Sequence, residues 1–225
     1  MKISGLVKLT LTDYPGRMAA IVFTQGCNYR CSFCQNSTLL SNNEGLLNEN
    51  DVLDYLDKRK NVLDGVVISG GEPTIQKDLK DFIYKVKKMG YCVKLDTNGS
   101  NPLELMYLLN SNLLDYVAMD IKSIFNDYSK IVCKNVSIDN IKKSIELIKK
   151  SKISHEFRTT VIKEFHDINK ILEIIKLVDG SRYFIQNFQD SENVIDRSLH
   201  GFSDLELKEI KEGIKEFTNV SVRGL

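Results

Sequence analysis

Long apolar runs are missing from this 225-residue chain. No stretch approaches the ~20 consecutive apolar residues of a membrane helix. The opening MKISGLVKLTLTDYPGR lacks the unbroken apolar block of a secretory signal. Together these absences predict a cytoplasmic protein with no membrane partner. Net charge is nearly absent too: +1 at pH 7 leaves no electrostatic footprint for nucleic acid. The lysine clusters at 85–88 and 148–152 read as solvated helix faces. Histidine is scarce, with three residues, and cysteine numbers five. An odd count in a reducing compartment argues against a disulfide framework. No proline-rich hinge, low-complexity linker or internal repeat divides the chain, so residues 1–225 are read as one domain.

What the chain has is alternation. Short β-rich runs at 19–25, 64–69, 91–97, 115–121, 155–162 and 182–188 are separated by amphipathic stretches near 49–60, 76–89, 102–110, 137–151 and 167–178. A further helix is expected at 203–217 and a last short strand at 218–222. Strands alternating with helices predict βαβ units and a parallel sheet. About six units are too few for a closed eight-fold barrel of ~250 residues. The expected fold is therefore α/β, a partial, open parallel β/α barrel.

Strand parity says what the barrel contains. One face of 91–98 carries Cys92, Lys94, Asp96 and Asn98; one face of 115–122 carries Tyr116, Ala118, Asp120 and Lys122; one face of 155–161 carries Glu156, Arg158 and Thr160. The opposite faces are largely apolar and should meet the helices, which turns the polar faces inward. Charges in a barrel interior need water or a polar ligand, because unpaired buried charge is costly.

Three of the five cysteines, Cys27, Cys31 and Cys34, fall within GCNYRCSFCQN, directly after the first of these strands. Active loops of parallel α/β folds follow strand C-termini. A disulfide fragment, part of a zinc site and an incomplete iron–sulfur ligand set are all consistent with three close thiols. Zinc would need a fourth ligand. Cys92, at the start of its strand, should lie ~13 Å below the working face, and Cys133 has no assigned place. Cubane clusters normally take four thiolates, so three would leave one iron open.

The C-x3-C-x2-C spacing, with Phe33 before the last cysteine, resembles the signature of the radical S-adenosylmethionine family. That resemblance implies a 4Fe-4S cluster on Cys27, Cys31 and Cys34, its open iron chelating S-adenosylmethionine. Reductive cleavage then yields a 5′-deoxyadenosyl radical that abstracts hydrogen. VVISGGEPT resembles the family's GGEP motif, implying that Gly70, Gly71, Glu72 and Pro73 meet the cofactor's ammonium. By the same resemblance LDTNG implies Asp96 and Asn98 near the cofactor's ribose and methionine portions, and MDIK, similar to a D-x-K of related activases, implies Asp120 and Lys122 at its methionine end. Arg158 is a further candidate for the carboxylate, and Gln186 or Asn187 for the adenine side.

Residues 10–17, TLTDYPGR, form a turn signal by themselves. With the adjoining strand and loop they resemble the D-G-P-G-x-R signature of glycyl-radical-enzyme activating enzymes, departing at Tyr14 and by one residue before Arg17. Gln35-Asn36-Ser37 replaces a usual His-Asn-Pro. These features are most similar to the activating protein of anaerobic ribonucleoside-triphosphate reductase. The resemblance implies a glycyl-radical enzyme as partner, a flavodoxin- or ferredoxin-like electron donor, and a substrate lip including Asp13, Arg17 and Asn36. The alternatives are a small radical enzyme acting on a small molecule, as in deazapurine synthesis, an activase of the pyruvate formate-lyase type, and a non-catalytic zinc or iron–sulfur module.

Overall fold

The computed structural model describes residues 1–41 and 43–223. Eight strands form one sheet in chain order: β1 (Ile3–Thr10), β2 (Ala19–Thr24), β3 (Gly65–Gly70), β4 (Cys92–Thr97), β5 (Tyr116–Asp120), β6 (Ser154–Val161), β7 (Arg182–Asn187) and β8 (Val220–Arg223). β1 runs antiparallel to β2, and every later pair is parallel. β1 and β8 remain the two edges, so the barrel is open. The expected six-unit core is present, with β1 added as a strand that the pattern of residues 3–10 had not disclosed.

The helices are α1 (Glu49–Lys58), α2 (Leu79–Lys88), α3 (Pro102–Asn110), the single turn α4 (Tyr128–Ile131), α5 (Ile138–Lys150), α6 (Ile168–Leu177) and α7 (Asp204–Gly213). Their starts follow from local chemistry. Asn48, Asn101, Ser137 and Asp167 each accept a backbone N–H of the first turn, and Ser203 with Glu206 makes a reciprocal capping box. Pro102 begins α3, where its missing N–H is harmless.

The outward sheet face and the helices enclose the core. Val66, Ile68, Val93, Leu95, Val117, Met119, Phe157 and Ile185 are fully buried, as are Leu56, Phe82, Val86, Leu108, Ile148 and Ile174 from the helices. Truncating one such side chain to alanine costs about 2–5 kcal/mol.

The inward face has two levels. At the N-terminal ends of the strands, Tyr14, Ala19, Ile21, Val67 and Tyr116 pack together, with Phe23 and Cys92 against them. Tyr14 meets Tyr116 edge-on at 5.9 Å. Its chain turns immediately afterwards through Pro15-Gly16, closed by Arg17 N–H to Tyr14 O at 3.1 Å. The N-terminal segment thus stoppers the bottom of the barrel. Nearer the strand C-termini the same face is charged, with Asp120 in register with Arg158 and Asp96 with Ala118.

Candidate cofactor site at the cysteine loop

One cavity of 360 Å³ opens at the C-terminal ends of the strands. Cys27, Cys31, Phe33, Cys34 and Asn36 line it from the loop after β2. Gly70, Gly71 and Glu72 line it after β3, Asp96 and Asn98 at β4, Asp120 and Lys122 at β5, Arg158 on β6, Gln186 on β7, and Asp13 from the lip. Three candidates lie off it. Pro73 is buried at the start of a 3-10 turn over Pro73–Ile75. Arg17 instead stacks on the Tyr14 ring at 5.6 Å. Asn187, of opposite parity to Gln186, is turned to the backbone of Phe202, which it holds through both amide atoms at 2.8 Å.

The cysteine loop is tied down on several sides. Gly26 N–H donates to Leu39 O at 2.8 Å, Glu72 N–H to Gly26 O at 2.9 Å, and Arg30 N–H to Val132 O at 2.9 Å. The Arg30 guanidinium donates back to Cys27 O at 2.6 Å and Tyr29 O at 2.7 Å. Asp196 N–H reaches Ser32 O at 2.9 Å, and Gln35 Nε2 reaches Gln189 O at 2.8 Å. Such ties reduce the ordering entropy that binding would otherwise cost. The glycines of the next loop allow its approach. A Cβ on Gly71 would stand 2.0 Å from Gly26 O, and Gly70 adopts φ +114°, which side chains rarely tolerate.

Glu72 is fully enclosed. Its Oε1 accepts from Thr74 N at 3.1 Å, Thr74 Oγ1 at 2.5 Å and Thr97 Oγ1 at 2.7 Å, and its Oε2 from Asn98 N at 2.7 Å. Burial still raises its pKa, against the opposing effect of these donors. The carboxylate therefore braces the β3 loop against the β4 end first. Only Oε2 keeps lone-pair capacity for an ammonium.

The inward charges mostly answer one another. Lys94 Nζ meets Asp96 at 2.6 Å; Arg158 reaches Asp120 at 2.8 Å and Asp96 at 3.4 Å; Lys122 meets Asp120 at 3.0 Å. Burial pushes the Asp120 carboxyl up, but Arg158 and Lys122 outweigh it and hold the group well below the usual carboxylate range. One layer lower, Glu156 accepts from Tyr116 Oη at 2.9 Å and faces Arg223 at 3.9 Å. Along the upper ladder three cations meet two carboxylates. Lys122 and Arg158 bring the cations of this ladder to the cavity wall, which they share with the carboxylates of Asp13 and Glu72.

Burial raises the Cys27 thiol, partly offset by the Tyr29 N–H, and pushes Cys31 up to about 12. Both are thiols until a metal displaces the proton. Cys92 belongs to the lower stopper, and Cys133 is exposed. Among the described residues, no three or more of His, Cys, Asp or Glu are gathered as a ready-made single-ion site. Three thiols from one loop, beside a cavity wall that offers both carboxylates and cations to a polar ligand, fit an iron–sulfur cluster with one open site.

Tyr29, Gln35, Ser69, Thr97 and Thr160 also line the cavity. Strand parity marks Ser69 and Thr160. Thr97 has outward parity, and only the position of Glu72 recruits its hydroxyl. For Tyr29, a phenol inside the cysteine motif was the available signal.

Residues 21–178 match the Radical SAM superfamily. A Methanocaldococcus jannaschii protein with the provisional name of a glycyl-radical enzyme activating enzyme is 36% identical, over 98% of this chain and 95% of its own. A GTP 3',8-cyclase of Helicobacter pylori is 30% identical over 78% of this chain but 56% of its own length. The pyruvate formate-lyase-activating enzyme of Clostridium pasteurianum is 32% identical over 78% and 76%. In fold, a radical SAM methyltransferase from Sphaerobacter thermophilus superposes with a TM-score of 0.75 at 15% identity, covering 96% of this chain and 68% of the other. The chain belongs to the radical SAM superfamily, and is an enzyme of the kind that works with a 4Fe-4S cluster and S-adenosylmethionine.

Proposed function

We propose that the protein is an activase that installs a glycyl radical on a partner enzyme, and that the partner is anaerobic ribonucleoside-triphosphate reductase. The observation that carries the activase reading is the likeness to the archaeal activating enzyme along nearly the whole of both chains. The choice of reductase rests on sequence likeness at Asp13, Tyr14, Arg17 and Gln35-Asn36-Ser37. Five free thiols suit a reducing cytoplasm. Residues 1–225 act as one radical SAM domain in this reading.

When bound, the cluster and S-adenosylmethionine supply a primary alkyl radical. The protein's own part is placement. Cys27, Cys31 and Cys34 hold the metal group. The spare lone pair of Glu72 Oε2, with the backbone carbonyls of Gly70 and Gly71, receives an ammonium, and Lys122 with Arg158 receives the adjacent carboxylate. Phe33 and Gln186 flank the remainder. Asp13, bonded to the Thr10 and Thr12 hydroxyls, lines the cavity from the segment that follows β1, the open edge of the barrel. A glycine-bearing loop suits that entrance, because it has no side chain to clash and its α-radical is delocalised by two peptide groups.

Anaerobic co-incubation with candidate glycyl-radical enzymes tests this reading. A glycyl signal in electron paramagnetic resonance should appear with the ribonucleotide reductase. A signal only with another glycyl-radical enzyme would reassign the partner. No signal with any of them, while S-adenosylmethionine is cleaved, would favour the small-molecule class to which the cyclase likeness belongs.

A further inference from the structure

Tyr29 stands midway between Cys27 and Cys31. Its backbone N–H donates to Cys27 Sγ at 3.4 Å, so the residue already answers one cavity sulfur. The side chain is 4% exposed, packs in the core with Cys31 and Phe33, and lines the cavity. Yet its Oη is enclosed without a hydrogen-bond partner. A buried phenol ordinarily finds one, since a stranded hydroxyl forfeits its bonds to water.

The polar groups around it are committed elsewhere. Glu72 Oε1 serves Thr74 and Thr97, and Oε2 serves Asn98. Tyr128 Oη faces Lys122 N–H at 3.2 Å and Asp120 O at 3.5 Å. Lys122 is a donor itself and is occupied by Asp120. Glu72 Oε2, which alone of these keeps a spare lone pair, gives it to the ammonium in the proposed bound state, so the acceptor for the hydroxyl arrives with the cofactor.

We propose that the Tyr29 hydroxyl donates a hydrogen bond to a sulfur of the iron–sulfur cluster on the Cys31 side, and thereby sets how readily the cluster accepts an electron. This rests on Cys27, Cys31 and Cys34 being the ligands. Sulfur is the acceptor that those ligands bring to the hydroxyl's own loop, while the carboxylate end of the nucleotide already has Lys122 and Arg158. A hydrogen bond to cluster sulfur favours the more negative, reduced state, and so raises the reduction potential.

Tyr29→Phe removes a single oxygen. In the anaerobically reconstituted full-length protein, the variant's potential should shift to more negative values. Pulsed electron paramagnetic resonance after exchange into deuterium oxide should lose an exchangeable-proton coupling that the wild type shows. The variant apoprotein should melt no lower than wild type, because the deleted group is unpartnered there. A clear loss of apoprotein stability with an unchanged potential would make the hydroxyl structural and overturn the proposal. So would weaker S-adenosylmethionine binding with the potential and coupling unchanged, which would give the hydroxyl to the nucleotide. If the wild type assembles no cluster, the ligand assignment falls, and this proposal with it.

Discussion

Asn98 Nδ2 donates to Asn28 Oδ1 at 2.9 Å, across 70 residues of chain. Asn28 passes the contact on through Nδ2 to Ser100 Oγ at 2.8 Å. The end of β4 is therefore latched to the cysteine loop, and cofactor affinity should depend on the latch. Asn28→Ala and Asn98→Ala should each weaken S-adenosylmethionine binding. In a double-mutant cycle the two losses should fail to add, with a coupling of about 0.5–1.5 kcal/mol. Fully additive losses would mean that the two residues act separately.

The three loop cysteines should behave as a unit. Cys27→Ala, Cys31→Ala or Cys34→Ala should each abolish the brown cluster after anaerobic reconstitution, while Cys92→Ala and Cys133→Ala keep about four irons. Iron analysis and the reduced-state spectrum decide this. Retention of a complete cluster by any loop variant would remove that cysteine from the ligand set.

Lys122→Met should separate cofactor binding from cluster assembly. The variant should bind iron normally yet hold S-adenosylmethionine about 10–100-fold more weakly, the worth of one charge-assisted contact. Isothermal titration of the reconstituted protein measures it. Unchanged affinity would restrict Lys122 to its pairing with Asp120.

The Asp120 carboxylate has a pKa lowered by Arg158 and Lys122. A depressed folded-state pKa contributes stability above the unfolded value near 3.9, and loses it as pH falls toward the folded value. Asp120→Asn should therefore cost the apoprotein about 1–3 kcal/mol at neutral pH. The gap to wild type should close progressively below about pH 4. Denaturant melts across pH test this, and a gap that is constant with pH would deny the carboxylate its role.

Glu72→Gln carries an opposite expectation for an assembled active site. The carboxylate accepts four donors, so an amide nitrogen would face either the Asn98 N–H or the threonine groups. A donor–donor clash of this kind costs about 1–3 kcal/mol. The apoprotein should melt lower, before any cofactor is added. A variant as stable as wild type, but unable to bind S-adenosylmethionine, would make Glu72 a ligand rather than a brace.

The parallel core was legible because β4 to β7 each carry one largely apolar face, so period-two alternation survives there, while β2 and β3, buried on both faces, read as short apolar runs. β1 escaped for the same reason reversed. Val7 and Leu9 are 39% and 54% exposed, so its residues carry no burial pattern to read. Parity also put Asp96, Asp120, Lys122 and Arg158 on the inward face, where they line the cavity, but it could not show that they pair with one another. Motif likeness placed Glu72 at the cavity without revealing Thr97 and Asn98 as its donors. Arg17 lies four residues from Asp13, yet the turn at Pro15-Gly16 sends it to Tyr14 instead of the cavity. Pairings of this type depend on how separate strand ends meet, which local sequence does not encode.

Hydrogen transfer is the most direct measurement. With the partner's radical-site glycine deuterated at its α-carbon, the account predicts deuterium in the 5′-deoxyadenosine released and a glycyl signal on the partner. Unlabelled 5′-deoxyadenosine, formed by a protein with its full cluster and with the partner present, would contradict it.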